Sequence, residues 1–194
     1  MSAFFFSRLI HSTNFFRLVA VSGLLVSSAV ASEKPPAIGD VAKDFTLETV
    51  DGEKAQLLRL EKEGPVVLLV LRGYPGYQCP VCNAQVGQFV ASAKKFEALN
   101  ANLVLVYPGP AQGLKAHAQE FTRGKTLPVN FYVVLDPDYE FTVAYGLRWE
   151  AKNETAYPST FVIGQDGKVQ FAKISTTHGG RTTAEEVLNV LAKK

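Results

Sequence analysis

Two cysteines, Cys79 and Cys82, are the residues of this 194-residue chain whose type and spacing most directly indicate chemistry. They are its only cysteines, and they form a Cys-x-x-Cys arrangement. A thiol pair at this spacing is typical of redox dithiols that alternate between two thiols and a disulfide. A purely structural disulfide is the alternative, but closing so short a loop restricts the unfolded chain little and therefore stabilises little. Redox chemistry explains the pair better.

The cysteines lie between an apolar run and an amphipathic segment. Residues 65–71 are continuously apolar, as expected of a central strand covered on both faces, and residues 80–100 carry apolar side chains at helical spacing. With Cys79 at the helix N-cap, Pro80 takes the first helical position, where its missing N–H costs nothing. The positive end of the helix then lowers the pKa of a cysteine there. Two Cα atoms one turn apart are separated by about 5 Å, which a disulfide can span.

The rest of the pattern predicts an α/β domain. Turns containing Asp51-Gly52 and Asp166-Gly167 indicate two β-hairpins, the first pairing residues 45–47 with residues around 56–58. Between the hairpins the chain is predicted to alternate strands with helices: strands at 66–71, 103–107 and 131–135, and helices at 80–100, 113–121 and up to Tyr145-Gly146. Thr182 and Glu185 form a predicted capping box for a last helix. This order predicts a mixed central β-sheet flanked by helices on both faces, with an N-terminal β-hairpin.

The first 31 residues have the pattern of a secretory signal peptide. Arg8 and Arg17 precede an apolar block at 18–30, which ends in Ala29-Val30-Ala31. A transmembrane anchor is the alternative, but the block is shorter than the roughly 20 residues that a spanning helix needs. We therefore predict a signal peptide at 1–31 and one domain at 32–194. The protein is predicted to be exported to the periplasm or the extracellular space, meeting the membrane only through the signal peptide before cleavage.

The numbers of charged residues and of possible metal ligands argue against nucleic-acid binding and against a structural zinc site. The chain has 20 basic and 18 acidic residues, and removal of the two signal-peptide arginines leaves 18 of each. This balance argues against a nucleic-acid partner, which would require a basic excess. A structural zinc site needs four ligands, whereas the processed chain offers two cysteines, His117 and His178. We expect no cofactor and no metal.

From about Ile38 to its C-terminus the chain resembles the thioredoxin-like superfamily, and within it the peroxiredoxin branch, the alkyl hydroperoxide reductase and thiol-specific antioxidant family. The segments that carry the resemblance are 38–47, 66–72 leading into Cys79-Pro80-Val81-Cys82, 136–146, and 157–163 followed by 166–167. The resemblance implies a thioredoxin-like fold, a hydroperoxide or disulfide substrate, and a thiol protein as reductant. It also implies that Pro158 follows a cis peptide bond and packs against the cysteines.

The resemblance leaves the roles of the two cysteines open. Peroxiredoxins carry Pro-x-x-x-Thr-x-x-Cys, and residues 75–82 fit this frame with Pro75 first and Cys79 in place of the threonine. In that frame Cys82 attacks peroxide and Cys79 resolves the sulfenic acid. In the thioredoxin frame Cys79 is the nucleophile and Cys82 the resolving residue. The sequence fits both frames equally.

One family residue is missing. Peroxiredoxins usually have an arginine ahead of the Tyr-Gly that ends the short helix, but this chain has Tyr139-Glu140 there. The candidate substitutes are Arg72, Arg148 and Arg181, each weighed against an ordinary solvated or salt-bridged arginine. His178 is interpreted as a loop histidine, since the sequence shows no partner for it.

The leading hypothesis is an exported thiol peroxidase that reduces hydrogen peroxide or organic hydroperoxides through the Cys79/Cys82 couple. Pro75, Pro80, Pro158 and Arg72 are the predicted supporting residues. The enzymatic alternative is a thioredoxin-like protein-disulfide reductase. The non-enzymatic alternative is a module that binds metal through the same two thiols.

Overall fold

A computed structural model describes Met1 and residues 34–193 of the chain. The predicted signal peptide, apart from Met1, lies outside the described residues, so the signal peptide and its boundary with the domain stay predictions. None of the described helices is long and apolar enough to cross a membrane.

Within the described residues, seven strands form one small and one large sheet. They are β1 (Thr46–Glu48), β2 (Lys54–Gln56), β3 (Val66–Val70), β4 (Asn102–Gly109), β5 (Phe131–Pro137), β6 (Ser159–Ile163) and β7 (Val169–Ile174). β1 and β2 form the predicted N-terminal hairpin. The other five make a mixed sheet in the order β5-β4-β3-β6-β7, in which β3, β4 and β5 are parallel and β6 is antiparallel to both β3 and β7.

Six helices between residues 34 and 193 pack on the large sheet. They are α1 (Leu57–Glu63), α2 (Pro80–Ala91), α3 (Ala93–Ala98), α4 (Leu114–Thr122), α5 (Glu140–Ala144) and α6 (Ala184–Leu191). Helices α2, α3, α4 and α6 bury their apolar sides in one core, on one face of the sheet. Helices α1 and α5 bury theirs in a second core on the opposite face. The predicted architecture, a mixed central sheet flanked by helices on both faces, is confirmed.

The apolar run before the cysteines forms the centre of the sheet. Successive side chains of a strand point to opposite faces, so Val67 and Leu69 lie in one core while Leu68 and Val70 lie in the other. β3 also has a strand on each side, and all five of its residues are buried. The loop that follows this central strand leads to the start of α2, so the position of β3 determines where the cysteines lie.

Two local predictions are wrong. Residues 57 and 58 do not continue the first hairpin, because Leu57 begins α1: Leu57 and Leu60 lie one helical turn apart and are both buried. The helix predicted at 80–100 is also not continuous. The backbone of Ser92 leaves the helical conformation between α2 and α3, although Phe89 and Phe96 on either side still stack with ring centroids 5.5 Å apart.

The capping box of the last helix forms one residue later than predicted. Thr183 Oγ1 accepts a hydrogen bond from the Glu186 N–H at 3.2 Å, and the Glu186 carboxylate accepts one from the Thr183 N–H at 2.7 Å. Thr182 cannot serve as the exposed cap because it is buried, and its carbonyl is bound by the side chain of Gln85. This contact joins the loop before α6 to the cysteine helix.

Candidate active site

The cysteines occupy the N-terminus of α2. Cys79 is the N-cap residue, and its Sγ accepts a hydrogen bond from the Cys82 N–H at 3.3 Å, while Pro80 takes the first helical position. Both thiols are free, and the two residues are only 2% and 1% exposed. Cys79 therefore lies against the unpaired N–H groups and the positive end of the helix, where a thiolate is stabilised.

The two thiols differ in acidity. The hydrogen bond that Cys79 receives from the Cys82 thiol lowers the pKa of Cys79, and the Cys82 N–H and the charges of Arg181 and Arg72 lower it further, outweighing burial. Burial raises the pKa of Cys82, and donating the hydrogen bond to Cys79 raises it again. These effects make Cys79 the more acidic thiol of the pair.

A tight loop sets the path from β3 to the cysteines. Gly73 has a φ of +64°, and a Cβ at this position would collide with the carbonyl oxygen of Pro108 at the end of β4. The Tyr74 N–H donates to that same carbonyl at 3.0 Å, so the loop stays attached to the sheet. Pro75 is half-buried and begins a bend at residues 75–77, two residues before Cys79 is reached.

Arg181 is the arginine that reaches the sulfurs. Its Nη1 lies 3.4 Å from Cys82 Sγ, and its Nη2 lies 3.8 Å from Cys79 Sγ. The guanidinium is fixed by two further contacts, from Nε to the His178 carbonyl at 2.9 Å and from Nη1 to Gln85 Oε1 at 3.2 Å. The loop before α6 thus supplies a positive charge at the place where the family arginine would be needed.

Arg72 lies near the cysteines but forms an ion pair with Glu154. Its guanidinium donates to the two carboxylate oxygens of Glu154 at 2.6 and 3.1 Å, to the Asn153 carbonyl at 2.9 Å and to the Tyr77 hydroxyl at 2.5 Å. The residue is 3% exposed, so this charge is almost entirely removed from water. Arg72 therefore acts on Cys79 through its field rather than by contact.

The third candidate, Arg148, stabilises the loop at residues 149–155. It donates to the carbonyls of Trp149, Glu154 and Thr155 and lies over the ring of Tyr139 at 4.0 Å. These contacts fix the segment that carries Glu154. Among the three candidate arginines, Arg181 is the one for which the described residues show a sulfur contact.

The two histidines that could have joined a metal site lie in different surroundings. His117 stacks on Tyr74 with ring centroids 3.5 Å apart, whereas His178 Nε2 lies 2.9 Å from a carboxylate oxygen of Glu154. Glu154 is thus the partner of His178 that the sequence did not reveal. Within residues 34–193, no three His, Cys, Asp or Glu side chains come together in a group that could bind a metal ion.

An aromatic pair borders the site. Trp149 stacks on Tyr157 with ring centroids 4.9 Å apart, and the ring of His178 lies 5.4 Å from that of Trp149. Because His178 also contacts Glu154, these rings are linked to the ion pair of Arg72. The stack therefore lies at the edge of the cysteine site.

The expected cis bond at Pro158 is absent: no peptide bond among the described residues is cis. The chain enters β6 in an extended conformation, with the Pro158 carbonyl accepting from the Ser175 N–H at 2.8 Å and the Tyr157 N–H donating to the Leu147 carbonyl at 2.8 Å. A trans bond continues this extended path, so no chain reversal is needed at Pro158.

The residues that position the site were only partly accessible to sequence reasoning. Arg181 was one candidate of three, and Gln85 was missed, although it lies one helical turn after Cys82 and therefore on the same side of α2. The spacing of three residues between Cys82 and Gln85 was the feature of the sequence that could have identified Gln85. Its partner Arg181 lies 96 residues away, so the contact itself could not be read from the sequence.

The comparisons with known proteins agree with this architecture. Residues 38–172 match the model of the AhpC/TSA family. Among curated proteins, none matches the chain.

Several solved structures share the fold. The peroxidoxin BcpB from Mycobacterium tuberculosis has 26% sequence identity and a TM-score of 0.61, over 82% of this chain and 99% of its own. A yeast mitochondrial 1-Cys peroxiredoxin has 20% identity and a TM-score of 0.64, over 80% and 75% of the two chains. A peroxiredoxin-like protein from Aquifex aeolicus has 18% identity and a TM-score of 0.66, over 84% and 90%. The family match covers more than half of the sequence, and the chain therefore belongs to the AhpC/TSA family of thiol-dependent oxidoreductases, the peroxiredoxin branch of the thioredoxin-like superfamily.

Proposed function

We propose that the protein reduces hydroperoxides, with Cys79 as the attacking thiolate and Cys82 as the resolving thiol. The Cys79 thiolate attacks the terminal oxygen of the hydroperoxide, so that an S–O bond forms while the O–O bond breaks. Cys79 becomes a sulfenic acid, and the departing oxygen takes up a proton to leave as an alcohol or water. Cys82 then loses its proton and attacks the Cys79 sulfur; the S–S bond forms, the S–O bond breaks, and the hydroxide leaves with that proton as water.

The observation that carries the proposal is the unequal environment of the two sulfurs. Attack on peroxide requires a thiolate, and the position of Cys79 at the N-cap, with the Cys82 N–H and Arg181 beside it, stabilises one. The more deeply enclosed Cys82 keeps its proton until the second step. This asymmetry favours Cys79 as the nucleophile. The two cysteines would then have the roles that they have in thioredoxins, although the chain belongs to the peroxiredoxin family.

The burial of the sulfurs favours a small oxidant. In the dithiol form Cys79 is 2% exposed, so a small oxidant such as hydrogen peroxide, which is only slightly larger than water, reaches its sulfur most readily. A protein-disulfide reductase remains the second candidate, because Cys79 is both the N-cap and the N-terminal member of a Cys-x-x-Cys pair. In that case the nucleophile is the same and only the substrate differs.

Reduction of the Cys79–Cys82 disulfide closes the cycle. We expect a dithiol donor protein to exchange with it, delivering two electrons and two protons. The yeast mitochondrial 1-Cys peroxiredoxin is resolved via glutathione/thioredoxin systems, which supports a donor of this type. If the predicted signal peptide is removed on export, the donor is a thiol protein of the periplasm or the extracellular space.

Stopped-flow oxidation of the reduced wild type and of the Cys79→Ser and Cys82→Ser variants tests the proposal. The oxidants are hydrogen peroxide, cumene hydroperoxide and the disulfides of insulin. We expect the wild type and Cys82→Ser to react with a hydroperoxide far faster than free cysteine, with dimedone trapping a sulfenic acid on Cys79 in Cys82→Ser. Cys79→Ser should react no faster than free cysteine.

Each contrary result has a definite meaning. Rapid reaction of Cys79→Ser together with loss of reaction in Cys82→Ser would reverse the two roles. If the wild type keeps both thiols as long as free cysteine does, the peroxidase proposal fails. Reduction of insulin with a trapped mixed disulfide on Cys79 would then identify a disulfide reductase.

A further inference from the structure

The guanidinium of Arg181 faces two sulfurs with two different nitrogens. Nη1 lies 3.4 Å from Cys82 Sγ, and Nη2 lies 3.8 Å from Cys79 Sγ. A guanidinium is planar and permanently charged, and it presents its N–H donors in a fixed geometry. The same side chain can therefore stay in place while negative charge moves from one sulfur to the other.

The charge of Arg181 is not cancelled by a nearby acid. Within the described residues its hydrogen-bond partners are the His178 carbonyl, Gln85 Oε1 and the two sulfurs, and no carboxylate is among them. Arg72, the other cation near the cysteines, is paired with Glu154 at 2.6 Å, and this carboxylate offsets much of its charge. Arg181 is thus the cation whose charge remains available to a developing thiolate.

Gln85 fixes the Arg181 segment to the cysteine helix with both ends of its amide. Its Oε1 accepts from Arg181 Nη1 at 3.2 Å, and its Nε2 donates to the Thr182 carbonyl at 3.1 Å. Gln85 is 7% exposed and lies one helical turn after Cys82. An apolar side chain at this position would leave the Thr182 carbonyl without its partner and free the guanidinium to turn away from the sulfurs.

We infer that Arg181 acts in both halves of the reaction, first on the Cys79 thiolate and then on the Cys82 thiolate, and that Gln85 is the residue that positions it. The inference rests on the proposed function. After attack on peroxide, Cys79 is a neutral sulfenic acid, and the negative charge next forms on Cys82 as its proton leaves with the displaced hydroxide. Nη1 already faces that sulfur. When a thiol donor later reduces the disulfide, the same contacts stabilise whichever cysteine departs as a thiolate.

The first test measures thiol acidity and needs no peroxidase activity. Arg181→Met and Gln85→Leu are each combined with Cys82→Ser and with Cys79→Ser, and the remaining thiol is titrated by its thiolate absorbance. An opposite charge in contact shifts a pKa by about 1 to 3. We therefore expect Arg181→Met to raise the pKa of Cys79 in one background and of Cys82 in the other by about 1 or more.

Gln85→Leu should raise both pKa values in the same direction but by less, because the charge is still present though no longer fixed. Arg181→Lys should recover part of the shift, since it keeps the charge and loses the guanidinium geometry. Arg59→Met is the matched control: Arg59 pairs with Glu63 on the exposed side of α1 and should leave both pKa values unchanged. Circular dichroism confirms that each variant is folded before it is titrated.

The second test follows the resolving step in the full two-cysteine protein. At constant pH, a rise of 1 in the pKa of Cys82 leaves about tenfold less thiolate, but the more basic thiolate is also about threefold more nucleophilic. Disulfide formation in Arg181→Met should therefore be about three- to fourfold slower than in the wild type. The sulfenic acid should accordingly be trapped by dimedone for longer. If Arg181→Met alters the pKa of Cys79 but not that of Cys82, the role in resolution is wrong; if Gln85→Leu alters neither, the positioning role is wrong. Failure of the wild type to react with peroxide would refute the proposed function and leave the pKa result standing.

Discussion

Replacing Glu154 with glutamine tests the contribution of the buried ion pair beside the cysteines. Glu154 accepts hydrogen bonds from Arg72 at 2.6 and 3.1 Å, and the side chains of the two residues are 11% and 4% exposed. Removing one partner of such a pair costs about 3–5 kcal/mol, because the other charge stays buried and unpaired. Glutamine keeps the shape and one acceptor, so we expect the free energy of unfolding to fall by about 2–3 kcal/mol.

Urea unfolding of the reduced protein, followed by circular dichroism, measures this change. Glu150→Gln is the matched control, since Glu150 lies in the same loop and faces Arg148 at 3.7 Å but is 79% exposed, so its loss should cost less than about 1 kcal/mol. At about 2–4 °C per kcal/mol, Glu154→Gln should also lower Tm by roughly 4–12 °C. Equal destabilisation by the two substitutions, within about 0.5 kcal/mol, would refute the reasoning.

The effect of Glu154→Gln should depend on pH with a definite sign. Burial acts to raise the pKa of Glu154, but the hydrogen bonds from Arg72 and His178 outweigh it and hold that pKa below its usual 4.5. A carboxyl whose pKa is lowered by folding stabilises the protein above its unfolded-state pKa, and this stabilisation is lost as the pH falls through the folded-state value. The stability difference between wild type and variant should therefore be complete at neutral pH and shrink below pH 4.5. A difference that persists undiminished at about pH 3 would exclude an electrostatic origin.

Three other substitutions test the elements that position the site. Burial raises the pKa of Asp136 to about 6 from its usual 3.8, so its contribution to stability is greatest at low pH and declines as the pH rises from 3.8 through about 6. The stability of the wild type relative to Asp136→Asn, measured by urea unfolding at several pH values, should therefore fall over that range. A constant difference between the two proteins would contradict this. Gly73→Ala should lower the free energy of unfolding in urea, because Gly73 has a positive φ and no room for a Cβ beside Pro108, and an unchanged stability would contradict this. The helical control Gly87→Ala meets no atom within 4 Å and should stabilise by about 0.5–1 kcal/mol. Thr183→Ala removes the side-chain cap of α6 and should cost about 1 kcal/mol in urea unfolding; no measurable loss would show that the capping box contributes nothing to stability.

Features that depend on near neighbours in the chain were predictable from the sequence. Cys79 at an N-cap followed by Pro80 requires only local helix geometry, and the continuous apolar run of β3 signals a strand covered on both faces. The boundaries of helices were predicted wrongly where two local conformations are close in energy. Leu57 fits either the end of a strand or the start of a helix, and Thr182 and Thr183 are both acceptable caps until burial of Thr182 selects the second.

The sequence by itself determined that this chain has a Cys-x-x-Cys pair at a strand-to-helix junction in an α/β domain of the peroxiredoxin family. Tertiary structure decided which charges the two sulfurs meet. Arg181 is 102 residues from Cys79 and Glu154 is 82 from Arg72, and no periodicity or spacing relates positions so far apart. Packing assigns Glu154 to Arg72 and leaves Arg181 to the sulfurs, because a buried charge must be paired and only the folded chain shows which partner is within reach. The hydrogen bonds that Cys79 receives from Cys82 at the helix N-terminus, together with the charge of Arg181, lower the pKa of Cys79, and the two sequence frames left this difference between the thiols open.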